Sequence, residues 1–200
     1  MVPEKKITPE DVKYVLSSHY QGTPYDPYAA TASERGIYRP IGVNRNDFMA
    51  LLQMRPDVPE DFRAVEWLAF ASNAFNTMVP FYANVDTTPE YLSNTTGDVS
   101  TDNFYWASRL LAAMADASYA KSVFHIERYT LSVGSKANGI INTYDDAQRG
   151  EARPCRPCRP AHQANEELAA MVRAETTDAL NKVLFELSSG MKNAYSRSDA

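Results

Sequence analysis

Phe48-Met49-Ala50-Leu51-Leu52-Gln53-Met54, closed by Arg55-Pro56-Asp57-Val58-Pro59, is the stretch on which the fold turns. A continuous apolar run this short, closed by a proline-rich break, is too brief for an ordinary helix and suits a strand buried on both faces. Two further pieces follow, Ala64-Val65-Glu66-Trp67-Leu68-Ala69-Phe70-Ala71 and Met78-Val79-Pro80-Phe81-Tyr82. Both are rich in apolar and aromatic residues, so the three pieces predict consecutive antiparallel strands, with residues 72–77 as the last hairpin loop. Pro80 has no N–H to give to a ladder, which places the third piece at an edge, a bulge or a strand end.

Working outward, the period changes on the C-terminal side. Asp102 is positioned to cap a helix containing Trp106, Leu110, Leu111 and Met114. Val123, Ile126, Thr130, Val133, Ala137, Ile140 and Tyr144 then hold helical spacing over six turns, and Leu168 to Leu187 repeats the pattern up to a stop at Gly190. Residues 149–161 form an Arg/Pro/Cys-rich loop between these two helices, which should pack as an antiparallel hairpin. On the N-terminal side, Thr8-Pro9-Glu10-Asp11 supplies a capping hydroxyl, a proline for the first helical position and acidic side chains for the positive helix end. That helix is expected to run to about Tyr20, followed by an irregular, tyrosine-rich segment over residues 21–40. Strands followed by helices make an α+β chain, read as one domain over residues 1–200.

With 44% hydrophobic and 22% charged residues, the 200-residue chain can bury a substantial core. Its formal net charge of −5 provides no field for nucleic acid or an anionic membrane. No apolar run approaches the roughly 20 residues of a membrane span, and Met1 to Lys6 is not followed by the apolar region of a secretory signal. The expectation is a cytoplasmic chain with no nucleic-acid or membrane partner. No phosphate loop or nucleophile elbow is present, and no cofactor is expected. Cys155-Arg156-Pro157-Cys158 has the spacing of a shared metal or a small disulfide, with His162 nearby, yet a structural zinc needs four ligands; a solvated basic loop is the plainer reading. His125, between Phe124 and Ile126, reads as an ordinary helix residue. Arg39, Asn44, Arg45, Asn73 and Asn76 are polar groups beside strongly apolar runs. Amides and guanidinium groups at strand ends hold carboxylates or developing oxyanions as well as capping turns. Of these, Arg39, Asn73 and Asn76 are the candidates for a substrate site.

Several segments together resemble the later half of the dipeptidase A family: residues 20–28 (Tyr-Gln-Gly-Thr-Pro-Tyr-Asp-Pro-Tyr), 38–45 (Tyr-Arg-Pro-Ile-Gly-Val-Asn-Arg) and 53–59 (Gln-Met-Arg-Pro-Asp-Val-Pro). Glu66-Trp67-Leu68-Ala69, Val79-Pro80-Phe81-Tyr82, Asp102-Asn103-Phe104-Tyr105-Trp106 and residues 190–200 continue the resemblance in the same order. The resemblance implies an N-terminal-nucleophile hydrolase, with two stacked antiparallel sheets between helical layers. In such enzymes a cysteine at the mature N-terminus attacks the dipeptide carbonyl, its own α-amino group acts as base, and water hydrolyses the acyl-enzyme. This chain begins Met1-Val2-Pro3 and its cysteines stand at 155 and 158. The expectation is therefore a C-terminal half that lacks the nucleophile, is inactive alone, and associates with a missing N-terminal half or with another copy. The alternative is a non-catalytic module presenting the helices from Val123 and Leu168 to a partner.

Overall fold

A computed structural model describes residues 4–29, 33–149 and 159–192. Its elements run in the order α1 (Pro9–Leu16), β1 (Phe48–Met54), a single 3-10 turn (Glu60–Phe62), β2 (Ala64–Phe70), β3 (Val79–Tyr82), α2 (Glu90–Ser93), α3 (Phe104–Ala117), α4 (Tyr119–Gln148) and α5 (Arg159–Ser189). The chain is α+β, with one small antiparallel sheet in the order β1-β2-β3 and two long helices.

β1 and β2 pair along their whole length, from Phe48 opposite Phe70 to Met54 opposite Ala64. β3 pairs over four residues, with Pro80 opposite Trp67, and is an edge strand, one of the three placements that Pro80 allows. The sheet face carrying Val65, Trp67, Ala69 and Tyr82 is turned toward α4, and the first three of these, with Tyr82, are buried. The expectation that β1 is buried on both faces is overturned. Phe48, Leu52 and Met54, on the opposite face, are 57%, 77% and 67% exposed, because nothing in the described residues covers that side of β1.

α4 and α5 form the expected antiparallel hairpin: Tyr129 meets Thr176, Tyr144 meets Glu167, and His125 meets Glu186. α4 buries Ser122, Ile126, Tyr129, Val133, Ala137, Ile141 and Asp145, a stripe at steps of three and four. α5 answers with Ala161, Ala164, Leu168, Ala169, Val172, Ala179 and Val183, whose many alanines let the two axes approach closely. Both helices start earlier than the sequence suggests. Pro160 falls in the first turn of α5, where its missing N–H costs nothing.

Local chemistry fixes the other boundaries. Thr8 and Asp11 form a reciprocal capping box at α1. α1 ends at Leu16 rather than near Tyr20, because the chain turns through Ser17 and reaches a left-handed Tyr20 at φ 62°. At α3 the cap is Asn103, whose Oδ1 accepts from the Trp106 amide at 2.8 Å. The predicted cap, Asp102, instead accepts from Arg173 of α5.

Two polar devices tie sheet to helices. Arg55, just past β1, makes a bidentate contact with Asp145 of α4 at 2.6 and 3.1 Å and donates to the Phe62 carbonyl at 2.5 Å. Tyr82 donates its hydroxyl to the same carboxylate at 2.8 Å. Asp145 Oδ2 thus accepts one donor and Oδ1 two, the kind of compensation a buried ion pair needs to be tolerated, although Arg55 Nε is buried without a partner. On the outer edge of β3, Asn165 of α5 accepts from the Tyr82 amide at 2.8 Å and donates to its carbonyl at 2.9 Å. One side-chain amide thus does the work of a neighbouring strand.

Candidate functional site

At the end of β2 the backbone turns through Ala71, a left-handed residue at φ 67°. A side chain in that region costs about 1–2 kcal/mol, so the surroundings must hold it. They do so on both sides: Ala71 donates its amide to the Asp47 carbonyl at 2.9 Å, and its own carbonyl accepts from Asn76 Nδ2 at 3.0 Å. Asn76 Nδ2 is also shared with the Phe70 carbonyl at 2.9 Å and Asn73 Oδ1 at 3.2 Å. Asn73 Nδ2 reaches the Leu16 carbonyl at 3.3 Å, and the Asn73 carbonyl accepts from Lys13 Nζ at 2.5 Å. Loop 71–77 is thereby stitched to the end of α1. Gly42 completes the seam, since its amide donates to the Ser18 carbonyl at 2.8 Å and a Cβ there would stand 2.6 Å from the Ser17 carbonyl oxygen. Lys13 also donates to Ser17 Oγ at 2.7 Å, and burial pulls its ammonium down from 10.5 to about 7.

Beneath the loop lies an aromatic stack. Tyr28 lies flat on Tyr119 at 4.4 Å, and Phe75 and His19 meet both rings edge-on. His19 Nδ1 lies 3.1 Å from the Ser17 carbonyl, which can only accept, so Nε2 is left to accept from the Tyr119 hydroxyl at 3.2 Å. Tyr28 donates to Asp116 at 3.0 Å. Burial first, and the Asp116 carboxylate second, push the Tyr28 phenol far above its ordinary range. Burial, then Asp26 and Glu127, raise Tyr119 in the same direction. Both remain donors.

Loop 71–77, α3 and Asn44 enclose a cleft of about 490 Å³, walled by Ser72, Phe75, Trp106 and Leu110, with Arg109 and Asp116 at its margins. Arg109 is bonded to Asp47. The Ser72 hydroxyl is buried without a hydrogen-bond partner, as is Asn76 Oδ1. A second cavity of about 260 Å³ lies beside β3 and residues 83–89.

Of the residues singled out from sequence, Asn73 and Asn76 are brought into direct contact and are buried, with their amide nitrogens bonded to the protein itself. They meet the cleft through their neighbours Ser72 and Phe75. Arg39 is not part of this group; it is exposed, and its carbonyl accepts from the Tyr20 hydroxyl. Cys155 and Cys158 lie outside the described residues, while His162 meets the Thr87 hydroxyl. His125 packs against Phe124 and Glu186 as an ordinary helix residue. Sequence reading missed Lys13, Ser72, Arg109 and Asp116. Only Asp116 carried a signal, an acidic residue in the last turn of a helix, where the helix dipole disfavours it. Among the described residues no cluster of His, Cys, Asp and Glu could hold a metal ion, and no helix is long and apolar enough to cross a membrane.

Residues 1–132 match the model of peptidase family C69. The probable dipeptidase A of Streptococcus pyogenes serotype M3 (strain SSI-1) is 42% identical over 98% of this chain and 42% of its own length. The dipeptidase of Bifidobacterium longum (strain NCC 2705) is 38% identical over 98% of this chain and 44% of its own. The probable dipeptidase B of Lactococcus lactis subsp. lactis (strain IL1403) is 37% identical over 98% and 41%. The chain therefore spans about two fifths of the length of these curated relatives. It belongs to peptidase family C69, the family of the dipeptidase A enzymes.

Proposed function

We propose that this chain is the substrate-holding part of a cysteine-type dipeptidase with the four-layer architecture of the N-terminal-nucleophile hydrolases, working in the cytoplasm on dipeptides. Membership in a peptidase family whose relatives are named dipeptidases carries the reading. The nucleophile belongs to the remaining three fifths of those relatives. The cysteine sulfur attacks the peptide carbonyl, the C–N bond breaks, the amine leaves with a proton returned by the α-amino group, and water cleaves the thioester. Asn73 and Asn76 fix the loop that borders the substrate, with Arg39 as a third contact at the rim once the rest of the enzyme is in place.

The uncovered face of β1 supports the division of labour. Phe48, Leu52 and Met54 form an apolar row that water does not favour, and its natural cover is the second sheet of the missing N-terminal half, or failing that a second copy of this chain. The test is dipeptide hydrolysis by the purified chain, alone and co-expressed with the N-terminal part of a relative, alongside its oligomeric state. Activity only in the mixture is expected. Turnover by the chain alone would overturn the placement of the nucleophile, and inactivity in both with a folded monomer would favour a non-catalytic helical module.

A further inference from the structure

The cleft beside loop 71–77 carries charge of both signs at a fixed spacing. Arg109 and Asp116 stand seven residues apart on α3, close to two turns, so they share a face about 10.5 Å apart along the axis. Asp116 sits in the last turn, where the helix dipole is negative and a carboxylate is unfavourable. Among the described residues it makes no ion pair, and its one bond from the Tyr28 hydroxyl leaves most of its acceptor capacity open. A carboxylate kept there against the dipole is a ready seat for a cation from outside. Arg109 spends part of its five-donor fork on the exposed Asp47 carboxylate and has donors to spare.

We infer that this cleft binds its peptide as a zwitterion, Arg109 taking the free α-carboxylate and Asp116 the free α-ammonium of a two-residue chain. The inference rests on the dipeptidase reading and deepens it. An extended dipeptide spans at most about 7 Å. With a charge-assisted hydrogen bond of about 2.8 Å at each end, the reach is about 13 Å, and Arg109, leaning over the Tyr105 ring toward the helix N-terminus, opens the two charged ends beyond the roughly 10.5 Å between their positions along the axis. A tripeptide needs about 16 Å and overshoots. The buried, unpartnered Ser72 hydroxyl supplies a polar group for the peptide unit between the termini, and Phe75 and Trp106 flank it. Length selection then follows from the rigidity of one helix rather than from a blocked tunnel.

The purified chain is titrated with Ala-Ala, its C-terminal amide, its N-acetyl form and Ala-Ala-Ala, following the Trp106 indole N–H by NMR. Ala-Ala is expected to bind at least tenfold more tightly than the other three. Arg109→Gln should erase the difference between acid and amide but keep that between amine and N-acetyl. Asp116→Asn, which still accepts from Tyr28, should do the reverse. Asp47→Asn should tighten Ala-Ala severalfold by freeing the fork, an effect that a purely structural ion pair would not give. Equal affinities for free and capped peptides, no response of Trp106 to Ala-Ala, or variants that leave the ratios unchanged would overturn the inference. If the co-expressed enzyme nevertheless hydrolyses dipeptides, the dipeptidase reading stands and only the cleft is misassigned; if it hydrolyses none, the reading itself fails.

Discussion

Replacing Lys13 with Met should change how stability depends on pH. The Lys13 ammonium has a folded pKa of about 7 against an ordinary 10.5, because burial strips hydration from the charged form. Between those values the unfolded chain binds more protons than the folded one, so stability rises with pH across that window. Below about pH 7 both states are protonated and the penalty is present in full. The gap, at about 1.36 kcal/mol per pH unit, sets a ceiling of about 5 kcal/mol. The bonds from Nζ to Ser17 Oγ and the Asn73 carbonyl favour the ammonium, and the side chain is only partly hidden from water. Together these reduce the expected swing to about 2–3 kcal/mol. The assay is urea unfolding of both proteins at pH 6.5, 7.5, 8.5 and 9.5. The stability of Lys13→Met relative to the wild type should fall by about 2 kcal/mol from the lowest pH to the highest. The sign at any one pH matters less than the slope, since the variant also leaves the Asn73 carbonyl without its donor. A difference flat to within about 0.5 kcal/mol across that range would refute the reasoning.

Four other outcomes are expected. Asp145→Ala strands the largely buried Arg55 guanidinium and removes the nearer of the two acceptors of the Tyr82 hydroxyl, leaving the Ile141 carbonyl, so it should cost about 3–5 kcal/mol in chemical denaturation. Asn165→Ala leaves the Tyr82 amide and carbonyl unpaired and should cost about 2–4 kcal/mol, with the Tyr82 amide exchanging faster in deuterium exchange. Ala71→Gly relieves a left-handed side chain but deletes a buried methyl and adds entropy to the unfolded chain, so stability by thermal unfolding should change by less than about 0.5 kcal/mol, where an ordinary buried alanine would cost more than about 1 kcal/mol. Leu52→Glu should leave the circular dichroism of the isolated chain unchanged and lower complementation by the N-terminal part at least tenfold, because its side chain already faces water here.

Period and punctuation made most elements legible. A seven-residue run with six apolar residues closed by Pro56 marked β1, steps of three and four marked α4 and α5, and Pro80 limited β3 to an edge, a bulge or a strand end. The burial of β1 was misread because an apolar run reports what a face wants and not whether anything covers it. Asp102 and Asn103 are both good caps, and only the extended backbone of Asn103 together with the reach of Arg173 decides between them. At the site, Asn73 and Asn76 stood out as amides against an apolar background. Arg109 and Asp116 did not, because two opposite charges on a helix look like any solvated face until residues 44–47 and 71–77 fold over them. Lys13 was hidden for the same reason, its environment being made by a loop sixty residues away.

The amide of Asn165 has a consequence for assembly. By occupying the outer hydrogen-bonding groups of Tyr82, it closes the β3 side of the sheet to any incoming strand. Among the described residues, growth by strand addition is left with the β1 side. A sheet with one open end can accept a single neighbour, its complement or its twin across a two-fold axis, and the joint then has no second end from which to continue. Two such chains meeting edge to edge make a closed pair, whereas a sheet open at both edges is free to grow into a fibre.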